Sequence, residues 1–306
     1  MISVENVTKY YGKRLALDEI SFHVEKNEIV GFLGPNAAGK TTTMRILSGF
    51  VVPSKGQAWI NGKNVVNESL QARKNIGYLP ESVPLYSDMT VRSYLEFFKR
   101  LRKIEKKTAQ DRIEYVLEVC HLNEYMDVLI RKLSKGFKQR VGLAQVILSD
   151  PKVLILDEPT VGIDPIQVAM TRNIIRELGK KHTVLLSSHI LSEISTICDR
   201  VIIINKGKIV AQDKIRSLSE QISDQKRIRC EIDAPKELVL SKLNQIEGVH
   251  VFDMNKATYV IECKQEKRAR AEMLKVVVQQ GWNLISLNSE EMTLEDIFLK
   301  LISKDN

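Results

Sequence analysis

The sequence predicts an α/β fold in two parts, a larger domain built on a mainly parallel sheet and a smaller α+β domain that follows it. Three observations support this prediction. Residues 34–41 form a glycine-rich loop between a short apolar run and a segment with helical spacing. Residues 153–156 and 201–204 are apolar throughout and have the length of strands buried in a parallel sheet. From residue 227 onward, shorter strand and helix patterns alternate.

The glycine-rich loop reads Gly-Pro-Asn-Ala-Ala-Gly-Lys-Thr, a complete Gly-x-x-x-x-Gly-Lys-[Ser/Thr] phosphate-binding loop. A strand that leads into such a turn and then a helix points several backbone N–H groups at one place, where the helix dipole adds partial positive charge. We expect Lys40 to reach the β- and γ-phosphates of a nucleoside triphosphate and the Thr41 hydroxyl to ligate Mg²⁺. The predicted nucleotide-binding residues of the loop are Gly34, Pro35, Asn36, Ala37, Ala38, Gly39, Lys40, Thr41 and Thr42.

The segments on both sides of the loop argue against a chance match. Residues 28–33 are apolar and β-prone, and residues 42–48 place Met44, Ile46 and Leu47 at spacing compatible with a helix. A glycine-rich turn that is followed by a lysine only by chance would require neither a strand before it nor a helix after it. By itself, however, the loop leaves kinases, GTPases, helicases and transporter ATPases open.

A second functional segment follows residues 153–156, where two acids and Pro-Thr end the apolar run. In open α/β sheets, ligands bind at the carboxyl ends of the strands. Asp157 is therefore predicted to hold Mg²⁺, and Glu158 to polarise a water molecule for attack on the γ-phosphate. The alternative is a strand with an ordinary acidic end, which the upstream phosphate loop makes the weaker interpretation.

Length and composition narrow the class of protein further. The 306 residues suggest two domains. No stretch approaches the ~20 uncharged apolar residues that span a bilayer, and the amino terminus lacks the layout of a signal peptide. The four cysteines show no metal-binding spacing, so we expect reduced thiols in a cytosolic protein.

The formal net charge of +8 arises entirely from residues 1–219, and the densest basic run lies at residues 99–107. Such a run is compatible with nucleic-acid binding, with attraction to an anionic membrane surface, or with a solvated helix face. The solvated face is favoured, and no specific nucleic acid is expected, because no aromatic residues are interleaved with the basic ones.

Residues 133–140 read Leu-Ser-Lys-Gly-Phe-Lys-Gln-Arg and precede the acidic strand by some 20 residues. Together with the phosphate loop, this segment resembles the signature sequence of the nucleotide-binding subunits of ATP-binding-cassette (ABC) transporters, usually Leu-Ser-Gly-Gly-Gln. The resemblance implies that Ser134, Lys135 and Gly136 contact a nucleotide bound by a second copy of the chain. Two cassettes would then sandwich two ATP molecules head to tail.

Further family elements occur in the expected order. Tyr11 resembles the aromatic residue that stacks on adenine, and Asp164 lies in a segment that resembles the loop joining the two active sites. His189 resembles the switch histidine that touches the γ-phosphate. Glu81 stands where the family has a metal-sensing glutamine. The resemblance covers residues 1 to about 216.

Three departures from the family pattern affect these assignments. Ala37 replaces a glycine, which costs about 1 kcal/mol if the position needs a positive φ, although we expect the backbone to tolerate alanine. Glu81 can still ligate Mg²⁺, but it adds negative charge near the phosphates. Lys135 and Phe137 replace the Gly and Gln of the signature; Lys135 either offers a cation to the phosphate or faces water. None of these changes removes a group required for hydrolysis, so an active ATPase is expected.

The segment between Glu81 and Ser134 has helical spacing and is predicted to form a helical subdomain at about residues 85–150 of an ATPase domain spanning 1–219. In the family, this subdomain receives the coupling helix of a polytopic membrane permease subunit. The resemblance therefore implies a cytoplasmic protein that is peripheral on the inner face of the cell membrane.

Residues 220–306 are predicted to form a separate accessory domain after a polar linker at 217–226. The order β-α-β-β-α-β, with a hairpin turn at Asn255 and Lys256, suggests a ferredoxin-like layer. A last helix is predicted after a capping pair formed by Thr293 and Asp296. Its residues 294–299 resemble the tail of cassettes from drug, antibiotic and polysaccharide exporters. No catalytic constellation is apparent in this domain.

These observations favour the ATP-hydrolysing subunit of an ABC exporter, with ATP and Mg²⁺ as cofactors and a second copy of the chain as partner. A soluble ABC-type ATPase in translation or DNA repair is the alternative. Such relatives generally carry two cassettes, long coiled coils or zinc modules, which this sequence lacks. A nucleotide kinase is a third interpretation, but it would have no use for residues 133–140.

Overall fold

The computed structural model describes residues 1–104, 106–215, 217–218, 226–254 and 257–290, together with Asp296 and Phe298. The chain divides into two compact units, Met1–Lys214 and Ile215–Asn306. None of the helices in the described part of the chain combines the length and the apolar character that crossing a bilayer requires.

The first unit contains two sheets. Its ten strands are β1 (Ile2–Tyr11), β2 (Arg14–Val24), β3 (Ile29–Leu33), β4 (Lys55–Ile60), β5 (Lys63–Asn64), β6 (Ile76–Leu79), β7 (Val153–Asp157), β8 (Thr183–Ser188), β9 (Arg200–Asn205) and β10 (Lys208–Lys214). The central sheet has the order β10-β9-β3-β8-β7-β6 and is parallel except for β10. Every residue of β3, β7 and β8 is buried, which explains their almost continuous apolar sequences.

The second sheet of this unit is antiparallel, with the order β2-β1-β4-β5. Its inner face shares one apolar core with the central sheet and with the helix that follows the phosphate loop. Phe22 of β2 and Phe32 of β3 meet within this core, with ring centroids 5.5 Å apart. The core therefore fixes the β1–β2 hairpin relative to the loop.

The helices of the first unit are α1 (Lys40–Leu47), α2 (Ser69–Lys74), α3 (Val91–Leu101), α4 (Lys106–Val119), α5 (Lys135–Ile147), α6 (Pro165–Gly179) and α7 (Leu191–Ile197). Helices α3, α4 and α5 contact one another and form the helical subdomain, together with single 3₁₀ turns at Asn123–Tyr125 and Ile130–Lys132. Val91, Tyr94 and Leu95 are fully buried, as their helical spacing predicts.

The second unit has the element order β11 (Lys226–Asp233), α8 (Lys236–Leu243), β12 (Val249–Asp253), β13 (Thr258–Cys263), α9 (Glu266–Gln280) and β14 (Asn283–Glu290). Its sheet is antiparallel throughout, with the order β12-β13-β11-β14, which is the strand arrangement of a ferredoxin-like layer. One sheet face packs on both helices, and Gly281 ends α9 in the left-handed conformation at φ 66°.

Several predicted features lie outside the described residues. The hairpin turn at Asn255 and Lys256 is one of them. The last helix and its cap at Thr293 are another, apart from Asp296 and Phe298. The polar linker at 217–226 is described only at its two ends.

Candidate active site

The phosphate loop connects β3 to α1 and needs its glycines because other backbone passes close to it. A Cβ on Gly34 would lie 2.4 Å from the carbonyl oxygen of Ile204. A Cβ on Gly39 would lie 2.6 Å from Cδ2 of Leu17, and Gly39 also has a φ of 117°. Both contacts are far shorter than van der Waals distance, so the fixed glycines of the motif follow from local packing.

Ala37 adopts a φ of 64° and therefore lies in the left-handed region. The expectation that the backbone would tolerate alanine without strain is wrong, because the position does require the conformation that favours glycine. A Cβ in this region costs on the order of 1–2 kcal/mol. The loop retains its shape despite this cost, with Ala38 N–H donating to the Pro35 carbonyl at 3.2 Å.

A cavity of about 580 Å³ opens in front of the loop and the first turn of α1. Most of the predicted site residues line it, contributed by the loop, the β1–β2 hairpin and the ends of β6, β7 and β8. The predicted residues in its wall are Tyr11, Asn36, Ala37, Gly39, Lys40, Thr41, Thr42, Glu81, Glu158 and His189. Most of the predicted site residues, although distant in the sequence, therefore lie around one cavity.

Lys40 is the first residue of α1, and its side chain is only 6 % exposed. Its ammonium donates to the carbonyl oxygens of Gly34 and Pro35 at 2.7 and 3.2 Å. It also lies 3.3 Å from Oε1 of Glu158. A buried cation requires such partners, and here they place the charge at the mouth of the loop.

Asp157 ends β7 beneath the loop and is 1 % exposed. Its Oδ1 accepts hydrogen bonds from Ser187 Oγ at 2.6 Å and from Thr41 Oγ1 at 3.4 Å. Burial raises the pKa of the Asp157 carboxyl, and the two hydrogen bonds oppose this shift. The backbone N–H of Glu158 donates to the same Ser187 hydroxyl at 3.0 Å, so one serine fixes both acids.

Glu158 connects the cation of the loop to the histidine beyond β8. One carboxylate oxygen faces Lys40, and the other lies 2.9 Å from Nδ1 of His189. Glu158 also has a φ of 49°, a left-handed conformation that a glutamate keeps only when surrounding contacts impose it. The carboxylate is therefore held at a fixed position facing the cavity.

The cavity also includes Arg14 and Ala16, which sequence reasoning missed, and Val161, which begins the segment that resembles the loop joining the two active sites. Arg14 pairs with Tyr11 across the β1–β2 turn, which places it in the cavity wall. Within the described part of the chain, this side chain has no ion pair. The only available signal was a basic residue three positions after the predicted adenine-stacking tyrosine, which is too weak to interpret without the hairpin register.

The signature residues and Asp164 do not line the cavity of their own chain. Ser134 caps α5 by accepting from the N–H of Phe137 at 3.5 Å, and Asp164 caps α6 by accepting from Gln167 N–H at 3.0 Å. A Cβ on Gly136 would lie 2.7 Å from the Gln167 side chain, so the two helix starts are in direct contact. These groups form a second polar surface, separate from the cavity.

Two departures from the usual signature have visible contacts. The ammonium of Lys135 lies against Gly162 in the loop before α6, only 2.4 Å from where a Cβ on that glycine would sit. Phe137 packs between the ring of Tyr125 and the guanidinium of Arg140, each 4.1 Å from its ring centroid. Lys135 thus joins the signature to the inter-site loop, and Phe137 joins it to the helical subdomain.

Comparison with known proteins identifies the family. Residues 17–161 match the ABC transporter family model, and residues 214–302 match the C-terminal domain of DrrA1-3-like ATP-binding proteins. The chain is 34% identical to the bacitracin transport ATP-binding protein BcrA of Bacillus licheniformis, over 99% of this chain and 97% of that protein. The chain belongs to the ATP-binding proteins of ABC transporters.

Two further similarities agree with this assignment. The Nod factor export ATP-binding protein I of Ralstonia nicotianae is 35% identical over 71% of this chain and 68% of its own length. The solved structure of an ATP-binding subunit of an ABC transporter superposes with a TM-score of 0.66, at 27% identity, covering 72% of this chain and 92% of that one. The predicted cassette fold, ATP binding and membership of the ABC ATPases are confirmed, and the kinase and translation or repair alternatives are not favoured.

Proposed function

We propose that this ABC ATP-binding protein is the ATP-hydrolysing subunit of an exporter, in which two copies associate on ATP and act on a polytopic membrane permease. Residues 1–219 would form the ATPase domain and residues 220–306 an accessory domain. The protein would be cytoplasmic and peripheral on the inner face of the cell membrane. Export is supported by the relative named for Nod factor export, and a role in transport also by the relative named for bacitracin transport.

The observation that carries this proposal is the position of Glu158 between Lys40 and His189 at the cavity wall. A general base must lie within hydrogen-bond reach of the water whose proton it takes, and Glu158 is fixed where it faces the loop. His189 Nδ1 holds the second carboxylate oxygen and so orients the base. Lys40 supplies positive charge where the γ-phosphate develops negative charge in the transition state.

The residues present are also suited to a magnesium ion. The Thr41 hydroxyl and the Asp157 carboxylate approach each other to 3.4 Å, and the Glu81 carboxylate lines the same cavity. These are hard oxygen ligands of the kind that Mg²⁺ prefers. When bound, the ion would neutralise charge on the β- and γ-phosphates. Thr41, Asp157 and Glu81 would hold it.

The second copy of the chain is proposed because the signature surface lies apart from the cavity. Ser134, Lys135, Gly136 and Asp164 stand at two helix starts, where N–H groups and the helix dipoles favour an anion. A partner cassette would present its γ-phosphate to this surface. Each of two composite sites would then combine the cavity of one copy with the signature of the other.

The permease is proposed to contact exposed aromatic side chains at two places on the first unit. Tyr86, in the loop before the helical subdomain, is 52% exposed and packs edge-on against Tyr94 and Phe97. Phe50 is 72% exposed and rests on Tyr78, with ring centroids 5.5 Å apart. Large exposed aromatics of this kind are typical of protein interfaces.

The decisive test is the Glu158→Gln variant. We expect it to bind ATP with unchanged affinity, to lose turnover by at least about 100-fold, and to form a dimer in ATP because hydrolysis no longer separates the copies. Single-turnover hydrolysis and light scattering would measure both effects. Glu177→Gln, an exposed acid on α6, is the matched control and should retain full activity.

Two outcomes would contradict the proposal. Full hydrolysis by Glu158→Gln would remove Glu158 from the role of base. A variant that binds ATP firmly as a monomer at every concentration would remove the two-copy site.

A further inference from the structure

The loops that follow β7 and β8 are joined at more than one point. Glu158 and His189 form the first connection beyond the strand ends. Two residues after Glu158, the hydroxyl of Thr160 donates a hydrogen bond to Oε2 of Glu193 on α7. Thr160 and Glu193 are only 5 and 7 % exposed, so this second connection lies inside the protein.

Thr160 is the donor to the Glu193 carboxylate. Within the described part of the chain, the Glu193 carboxylate has no other hydrogen-bond or ion-pair partner. Hydrogen bonds to an ionised group are stronger than neutral ones, and a buried carboxylate that loses its donor cannot recover that interaction from bulk water. The Thr160–Glu193 contact is therefore a strong constraint on both loops.

Helix α7 depends on such tertiary contacts for its position. It has only seven residues, too few to be stable alone, and no side chain caps its start at Ile190. Its apolar side is anchored by Ile194, whose Cγ2 lies 2.5 Å from where a Cβ on Gly31 of β3 would sit. Arg172 and Arg176 of α6 donate hydrogen bonds to Thr196 near the end of α7, whereas the Thr160–Glu193 bond is a directional contact in its first turn, next to His189.

We propose that Thr160 and Glu193 are positioning residues for ATP hydrolysis: their hydrogen bond fixes α7, and with it His189, relative to Glu158. The inference rests on the proposed roles of Glu158 and His189. The two connections form a clamp, in which the Thr160–Glu193 bond is buried and the Glu158–His189 bond faces the cavity. Neither Thr160 nor Glu193 lines the cavity, so both act through His189 and Glu158.

The test compares three threonine variants of the full chain. Thr160→Val keeps the shape and removes the donor, and should lower kcat about tenfold while the KM for ATP stays within twofold. Thr160→Ser keeps the donor and should recover most of the rate. Thr171→Val is the matched control, because Thr171 is buried in α6 with an unpartnered hydroxyl and should lose nothing.

A double-mutant cycle separates positioning from general destabilisation. In a His189→Ala background the clamp has nothing to position, so adding Thr160→Val should change the residual rate by less than twofold. The proposal is overturned if Thr160→Val keeps its kcat, if Thr160→Ser is equally impaired, or if the losses multiply in the double variant. Failure of the proposed function would look different: His189→Ala and Glu158→Gln would themselves retain full activity.

Discussion

The cavity of this ABC ATPase and its signature surface differ in the burial of their polar and charged side chains. At the cavity wall and directly beneath the loop, Lys40, Glu158 and Asp157 are buried, and each is paired or hydrogen-bonded to its neighbours. On the signature surface, Ser134, Lys135 and Asp164 are exposed and stand at helix starts. Buried charges must be satisfied within one chain, whereas exposed caps are available to another molecule. The difference is that the charges around the cavity are satisfied within one chain, whereas the signature caps are exposed to solvent.

The Ser134→Ala variant gives the strongest test of whether the signature surface acts on the nucleotide of a second copy. If the serine acts on the partner's nucleotide, we expect kcat to fall about tenfold while ATP affinity of the separate protomer changes less than twofold. Steady-state hydrolysis and fluorescent-nucleotide binding would measure the two quantities. Ser241→Ala, on the exposed side of α8, is the control.

The cap formed by Ser134 provides a further check, since losing it alone costs about 0.5–2 kcal/mol of stability. Ser134→Asp caps a helix as well as serine but brings negative charge to the γ-phosphate. If Ser134→Asp restored the rate, the serine would serve only as a cap.

Substitution of Arg14 tests whether an exposed cation at the cavity contributes to ATP binding in addition to the buried charges. This arginine lines the cavity and is exposed. Arg14→Gln should weaken ATP binding about three- to tenfold, because a cation near a polyphosphate is lost, and the deficit should shrink at high salt. Titration calorimetry at two salt concentrations measures this. Lys13→Gln changes the adjacent turn residue and should leave ATP affinity unchanged. If both variants lost ATP affinity equally, Arg14 would act only through the overall positive charge of the surface.

The smallest of the predicted changes is in thermal stability and concerns the Asp157→Asn variant. Burial raises the pKa of Asp157 above the carboxyl's ordinary value of 3.8. The folded protein therefore binds this proton more tightly than the unfolded chain does. The contribution of Asp157 to the free energy of unfolding is largest below pH 3.8 and falls as the pH rises above that value. Asparagine removes the buried charge but can still accept from Ser187. We expect Tm to rise by roughly 2–4 °C at pH 7, and this gain to vanish in acid.

Melting curves at several pH values would check this expectation against Asp88→Asn, a fully exposed control. A variant no more stable than the original protein at neutral pH would contradict it.

Motifs with a fixed spacing made most of the cavity predictable. The phosphate loop, Asp157, Glu158 and His189 each follow a buried strand, and parallel strands bring their carboxyl ends together. The fold could be predicted for the same reason, because apolar runs and helical spacing report burial directly. Ala37 was the exception, since its φ depends on the whole loop and not on the residue type.

Contacts between distant segments could not be predicted. Arg14 reaches the cavity only through the register of the β1–β2 hairpin, and Thr160 meets Glu193 across 33 residues of sequence. Neither pair has a characteristic spacing, because the partners belong to separate elements whose relative placement is decided by the core. The contact of Lys135 with Gly162 is of the same kind.

The close approach of Ile194 to Gly31 gives the chain a mechanical property. Gly31 belongs to β3, which leads directly into the phosphate loop, and the missing side chain lets α7 rest on that strand. A methyl group there would lie against the side chains of Ile194 and Cys198 and force them to shift. If His189 contacts the terminal phosphate as proposed, the seam between α7 and β3 lies between that contact and the phosphate loop, and it leaves no room for a side chain at position 31.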